Sequence, residues 1–154
     1  MKQMRAISIN KELYNRPLDS PEEIKKMKKM KIELFLPPGD IPQFIYPKYN
    51  EKEDNLIIEF KYMDEEKERE LFNRENVRFI IGEYSGKPLK IEIRNIKKEN
   101  ITRIELTNKI GSINKLIEEN ITKTRDLRLR EKSNLSFAGE ILSQNANELA
   151  NQVL

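Results

Sequence analysis

The chain has 154 residues, 37% hydrophobic and 36% charged, with 29 basic and 26 acidic side chains and a net charge of +3. It contains no cysteine and no histidine, which excludes disulfides, thiol catalysis, imidazole-dependent triads and histidine-rich zinc or iron sites. No apolar run approaches the ~20 residues that span a bilayer, and the opening MKQMRAISINKELY has no secretory apolar segment, so a cytoplasmic location and no membrane partner are expected. In chain order, MRAISIN alternates Met4, Ala6 and Ile9, a strand signal. In DSPEEIKKMKKM, Ser20 stands as an N-cap, Pro21 opens the first turn and Glu23 completes a capping box. Ile24, Met27 and Met30 follow at helical spacing. This predicts one short N-terminal helix packing a methionine stripe on a sheet, too short for membrane work. KIELFLPPGD then reads as a strand over 31–36, stopped by Pro37, Pro38 and Gly39.

QFIYPKY is a short extended piece that Pro47 confines to an edge or a lead-in. YNEKEDNLIIEF joins an acidic turn to the best strand pattern in the chain: Leu56, Ile58, Phe60 and Tyr62 line one face, and Ile57, Glu59 and Lys61 the other. DEEKERELFNRE is charged enough for an exposed connection with a turn or two of helix, Leu71 and Phe72 tucking in. VRFIIGEYSGKPLKIEIRNI reads as a hairpin. Gly86 supplies a positive φ and Pro88 begins the return strand, setting Val77, Phe79 and Ile81 against Leu89, Ile91 and Ile93. From about residue 97 the period becomes helical. Ile110, Ile113, Ile117, Asn120, Thr124 and Leu127 form a heptad seam, open to use within the chain or in a homo-oligomer. LREKSN reads as a break. A second amphipathic helix then carries Leu135, Ala138, Leu142, Ala146, Leu149 and Val153 on one side.

The expected fold is α+β: a small antiparallel sheet with one N-terminal helix and two C-terminal amphipathic helices. Residues 1–96 form the sheet domain and 97–154 a helical extension. Three sites follow. Asp54, at the end of the acidic turn, has a carboxylate that can accept backbone N–H bonds and fix the turn. Glu59 and Lys61 share a sheet face, where Glu92 and Arg94 are expected as cross-strand ion partners. The sharper alternative joins PGD at 38–40 to EFK at 59–61, an arrangement similar to the Pro-Asp…Glu-x-Lys pattern of magnesium-dependent restriction-like nucleases. There Asp40, Glu59 and Lys61 would form the triad, joined by Glu22 or Glu23. The basic runs 25–31 and 123–132 could touch nucleic-acid phosphates, but no helix-turn-helix accompanies them, so they read as solvated faces.

The ordered pattern Tyr49, Asn50, Glu53, Asp54, Leu56, Ile58 and Phe60, followed by Gly86, Lys87, Leu89, Ile91, Glu92 and Ile93, resembles a short bacterial and archaeal domain family of unknown function. It covers residues 49–96. The resemblance implies a prokaryotic antiparallel sheet with no established activity and no catalytic residue. It also implies an antitoxin-like role, with another protein, such as a small toxin, as partner. Together these readings lead to a non-catalytic protein-binding module without cofactor or metal. Its C-terminal helices would dock through Leu135, Leu142, Leu149 and Val153, occluding the partner's site.

Overall fold

A computed structural model describes residues 4–9, 36–124 and 127–154. The expected N-terminal helix and all but the last residue of the 31–36 strand lie outside the described residues. The elements are β1 (Ile7–Ser8), a 3₁₀ turn (Pro38–Asp40), β2 (Phe44–Asn50), β3 (Asn55–Lys61), β4 (Glu68–Arg74), β5 (Val77–Gly82), β6 (Pro88–Arg94), α1 (Arg103–Lys123) and α2 (Leu129–Val153). The six strands form one antiparallel sheet in the order β1-β2-β3-β6-β5-β4. A β2–β3 hairpin and a β4–β5–β6 meander thus join through the β3–β6 pair. Pro47 is tolerated in β2 because β1 reaches only Phe44 and Ile45, which leaves the outer edge beside the proline unpaired by β1.

Alternation places Leu56, Ile58 and Phe60 of β3, Ile91 and Ile93 of β6, and Val77, Phe79 and Ile81 of β5 beneath the helices, all buried. The register Val77↔Ile93 and Phe79↔Ile91 matches the sequence pattern, and a shift at Ile81 sets it against Pro88. The charged segment before β5 is itself a strand rather than helical connection. Phe72 of β4 stacks on Phe79 with ring centroids 5.4 Å apart, and one buried aromatic is enough to anchor an otherwise polar edge. Glu75 and Asn76 close the β4–β5 hairpin with φ of 55° and 62°, the left-handed pair that a two-residue turn of type I′ requires.

Thr102 caps α1 by accepting the Glu105 N–H and donating to its carboxylate. The heptad seam ends where α1 ends: Ile110, Ile113 and Ile117 are buried inside the chain, while Thr124 is the C-cap. That part of the seam is spent on intramolecular packing and cannot also serve a homo-oligomer. LREKSN is the start of α2, not a break, and the helices are separated just before it. The helices pack on each other, and α2 also meets β2 and β6. Where they cross, Gly139 lies so close to Asn114 that a Cβ would sit 2.0 Å from its Oδ1. Sheet and helices share one hydrophobic core, so residues 97–154 are not an appendage to a separate sheet domain.

Candidate functional site

Asp54 holds the acidic turn before β3 in place. The Asp54 carboxylate accepts the N–H groups of Lys97 and Lys98, each at 2.9 Å, and the Tyr49 hydroxyl at 2.5 Å. Its own carbonyl accepts from Asn95. Burial alone would raise the carboxyl, but the bonds from Tyr49, Lys97 and Lys98 outweigh it and hold the group below its usual range. Asp54 therefore ties its turn to the 95–98 loop across the sheet end.

The expected triad does not assemble. Glu59 lies on the sheet face opposite Ile58 and Phe60, bonded to Lys48 at 3.2 Å and to Lys61 at 2.5 Å. Its register partners are Tyr46 and Lys90. Glu92 pairs instead with Arg78 at 3.7 Å, so the expected ladder of Glu59 and Lys61 with Glu92 and Arg94 does not form. Asp40 lies on the helix side, buried, with both carboxylate oxygens taken by Arg130 at 2.7 Å and one also by Asn134 at 2.9 Å. One metal ion cannot bridge carboxylates on opposite faces of a sheet, because oxygen–metal contacts are near ~2 Å. Among the described residues no group of three acidic, histidine or cysteine side chains is arranged to hold a metal.

The expected helix anchors lie in the chain's own core. Leu135, Leu142 and Leu149 are fully buried in the chain's own core, and Val153 is partly buried against it. Side chains already removed from water cannot enter a partner's groove, since the burial that would drive docking has been used in folding.

What the sheet end beside α2 does assemble is a polar cluster joining three segments: the Pro38–Asp40 turn, the connection 62–67 and the β5–β6 turn. Antiparallel pairing brings these to one end, and the first turns of α2 lock over them. Asn134 donates to Asp40 and to the Ser85 carbonyl. Glu66 accepts from the N–H groups of Tyr84 and Ser85 and from the Ser85 hydroxyl, at 2.5 to 2.7 Å. Buried Lys87 stands 3.9 Å from Glu66 and 4.5 Å from the Tyr62 ring centroid. Burial would raise Asp40 and Glu66. The bonds from Arg130 and Asn134 on one, and from Ser85 and Tyr84 on the other, prevail and hold both below the usual carboxylate range. Burial pushes the Tyr62 hydroxyl up, reinforced by the charges of Asp40 and Glu66. These carboxylates are committed to donors, an arrangement suited to fixing segments and unsuited to abstracting protons.

The cluster carries a surface that the sequence reading did not single out. Tyr84 is 66% exposed, with the guanidinium carbons of Arg128 and Arg130 at 5.3 and 5.9 Å from its ring centroid. Leu129, between the two arginines in sequence, is 69% exposed, and Met63, at the end of β3, is 75% exposed. The Arg130–Asn134 spacing of one helical turn was the available signal, masked because LREKSN reads as a break. Elsewhere, a groove between α1 and the β4–β5 turn has only Val77 and Leu116 as apolar lining, which offers little hydrophobic contact. Compared with family models, curated proteins and solved structures, the chain matches none.

Proposed function

We propose that the protein is a non-catalytic binding module for another protein, and that its contact surface is the Tyr84–Leu129 end of the sheet. One observation carries this. Among the described residues four large hydrophobic side chains are strongly exposed, and three of them, Met63, Tyr84 and Leu129, belong to segments gathered at that one end. Tyrosine and arginine in a held geometry are the residues that dominate protein contacts. Occlusion of a partner's site, as in neutralisation of a small toxin, fits this reading through the Tyr84–Leu129 end rather than through Leu142 or Leu149.

The test is affinity capture from the native host with quantitative mass spectrometry, comparing wild type with Leu129→Asp and Tyr84→Ala. The expected result is one partner enriched by wild type and lost with both variants, whose melting temperatures stay within a few degrees of wild type. A partner retained equally by both variants would overturn the assignment of this surface.

A further inference from the structure

We infer that this patch recognises an acidic peptide segment of its partner, one that sets a carboxylate beside an apolar side chain. The inference rests on the patch being the docking surface. Arg128 spends Nε on Glu131 and Nη2 on the Tyr84 carbonyl oxygen. Arg130 spends Nε and Nη2 on Asp40. Each guanidinium is left with an Nη1 that has no partner among the described residues, one on each arginine beside an exposed aromatic ring. A guanidinium donates in a planar fork that suits a carboxylate.

The charges are also layered. The Arg128 and Arg130 side chains are 54% and 39% exposed, while their carboxylates, Glu131 and Asp40, are 14% and 2% exposed. An approaching chain meets the cations, with exposed Lys132 one turn further along. The exposed carboxylates of this end lie away from α2: Asp64, Glu65 and Glu83 belong to the strand connections, and Glu68 opens β4, 3.6 Å from Lys90. The acidic stretch of the ligand is therefore directed along the first turn of α2, with its apolar side chain towards Leu129 and Tyr84. The Tyr84 backbone is fixed before binding, its N–H held by Glu66 and its carbonyl by Arg128, which lowers the ordering cost of the complex at that residue.

A phage-displayed library of random peptides, panned on the full chain and counter-selected on Leu129→Asp, tests this without knowledge of the partner. The expected sequences are enriched in Asp or Glu next to Leu, Ile or Phe. A synthetic copy of the best peptide should bind wild type and lose about tenfold in affinity against Arg128→Gln, with a Glu→Gln peptide losing a similar factor. Circular dichroism of Arg128→Gln should match wild type. Peptides that depend on Leu129 but show no acidic enrichment, or bind Arg128→Gln equally well, would overturn the acidic-ligand inference while leaving the docking surface standing. A selection in which no peptide distinguishes wild type from Leu129→Asp would overturn both.

Discussion

The Asp40 carboxylate accepts three hydrogen bonds from α2. Asp40 is buried but the Arg130 side chain is 39% exposed, so removing the carboxylate leaves a guanidinium that water partly compensates. Asp40→Asn is therefore expected to cost about 1–3 kcal/mol at pH 7, measured by urea unfolding. The pH dependence follows from the sign of the shift. Asp40 and Glu66 are held below their ordinary values, so their contribution is fully present above an unfolded pKa of about 4 and is lost as pH falls through the lower folded value. The gap between wild type and Asp40→Asn should therefore narrow on acidification towards pH 3 and below; a gap constant with pH would contradict the account. Asp54 was legible in the sequence as a turn carboxylate accepting backbone N–H groups. That the donors come from the 95–98 loop was not, because nothing local in YNEKEDN encodes which loop will arrive across the sheet end.

At the level of elements, strands with alternating apolar residues were plain to read, and β4 was not. ERELFNR buries Phe72 alone, and a single buried aromatic does not make a period. Its hairpin turn is equally cryptic, since Glu75 and Asn76 adopt the conformation that Asn-Gly would announce. Glutamate is poorly suited to a positive φ and asparagine tolerates it, so Glu75→Asn should stabilise the fold by about 0.5 kcal/mol, read as a raised melting temperature. The helix crossing gives the opposite case. Gly139→Ala places a methyl group against Asn114 and should cost about 1–3 kcal/mol as overpacking. Asn114→Ala added to it should recover most of the loss, because the obstructing atoms are chiefly that side chain's amide. Failure of the second change to rescue the first would place the strain in the helix backbone.

Taken whole, the molecule uses its C-terminal apolar residues for its own core. Their spacing made two amphipathic helices legible, but spacing cannot say whether an apolar stripe meets its own sheet or a stranger. Here the sheet settles it by presenting Leu56, Ile58, Ile91 and Ile93 to the two helices in one shared core. Leu142→Ala should cost about 2–5 kcal/mol, whereas Leu129→Ala should lie within about 0.5 kcal/mol of wild type, a contrast that one denaturation series resolves. The strand order has a consequence for biosynthesis. Strand β6, which knits hairpin to meander, precedes α1 and α2 in the chain, so the sheet's oily underside emerges from the ribosome before its lid does. At ~5–20 residues per second that nascent surface waits several seconds for α2, the interval in which a cellular chaperone would have most to gain by holding it.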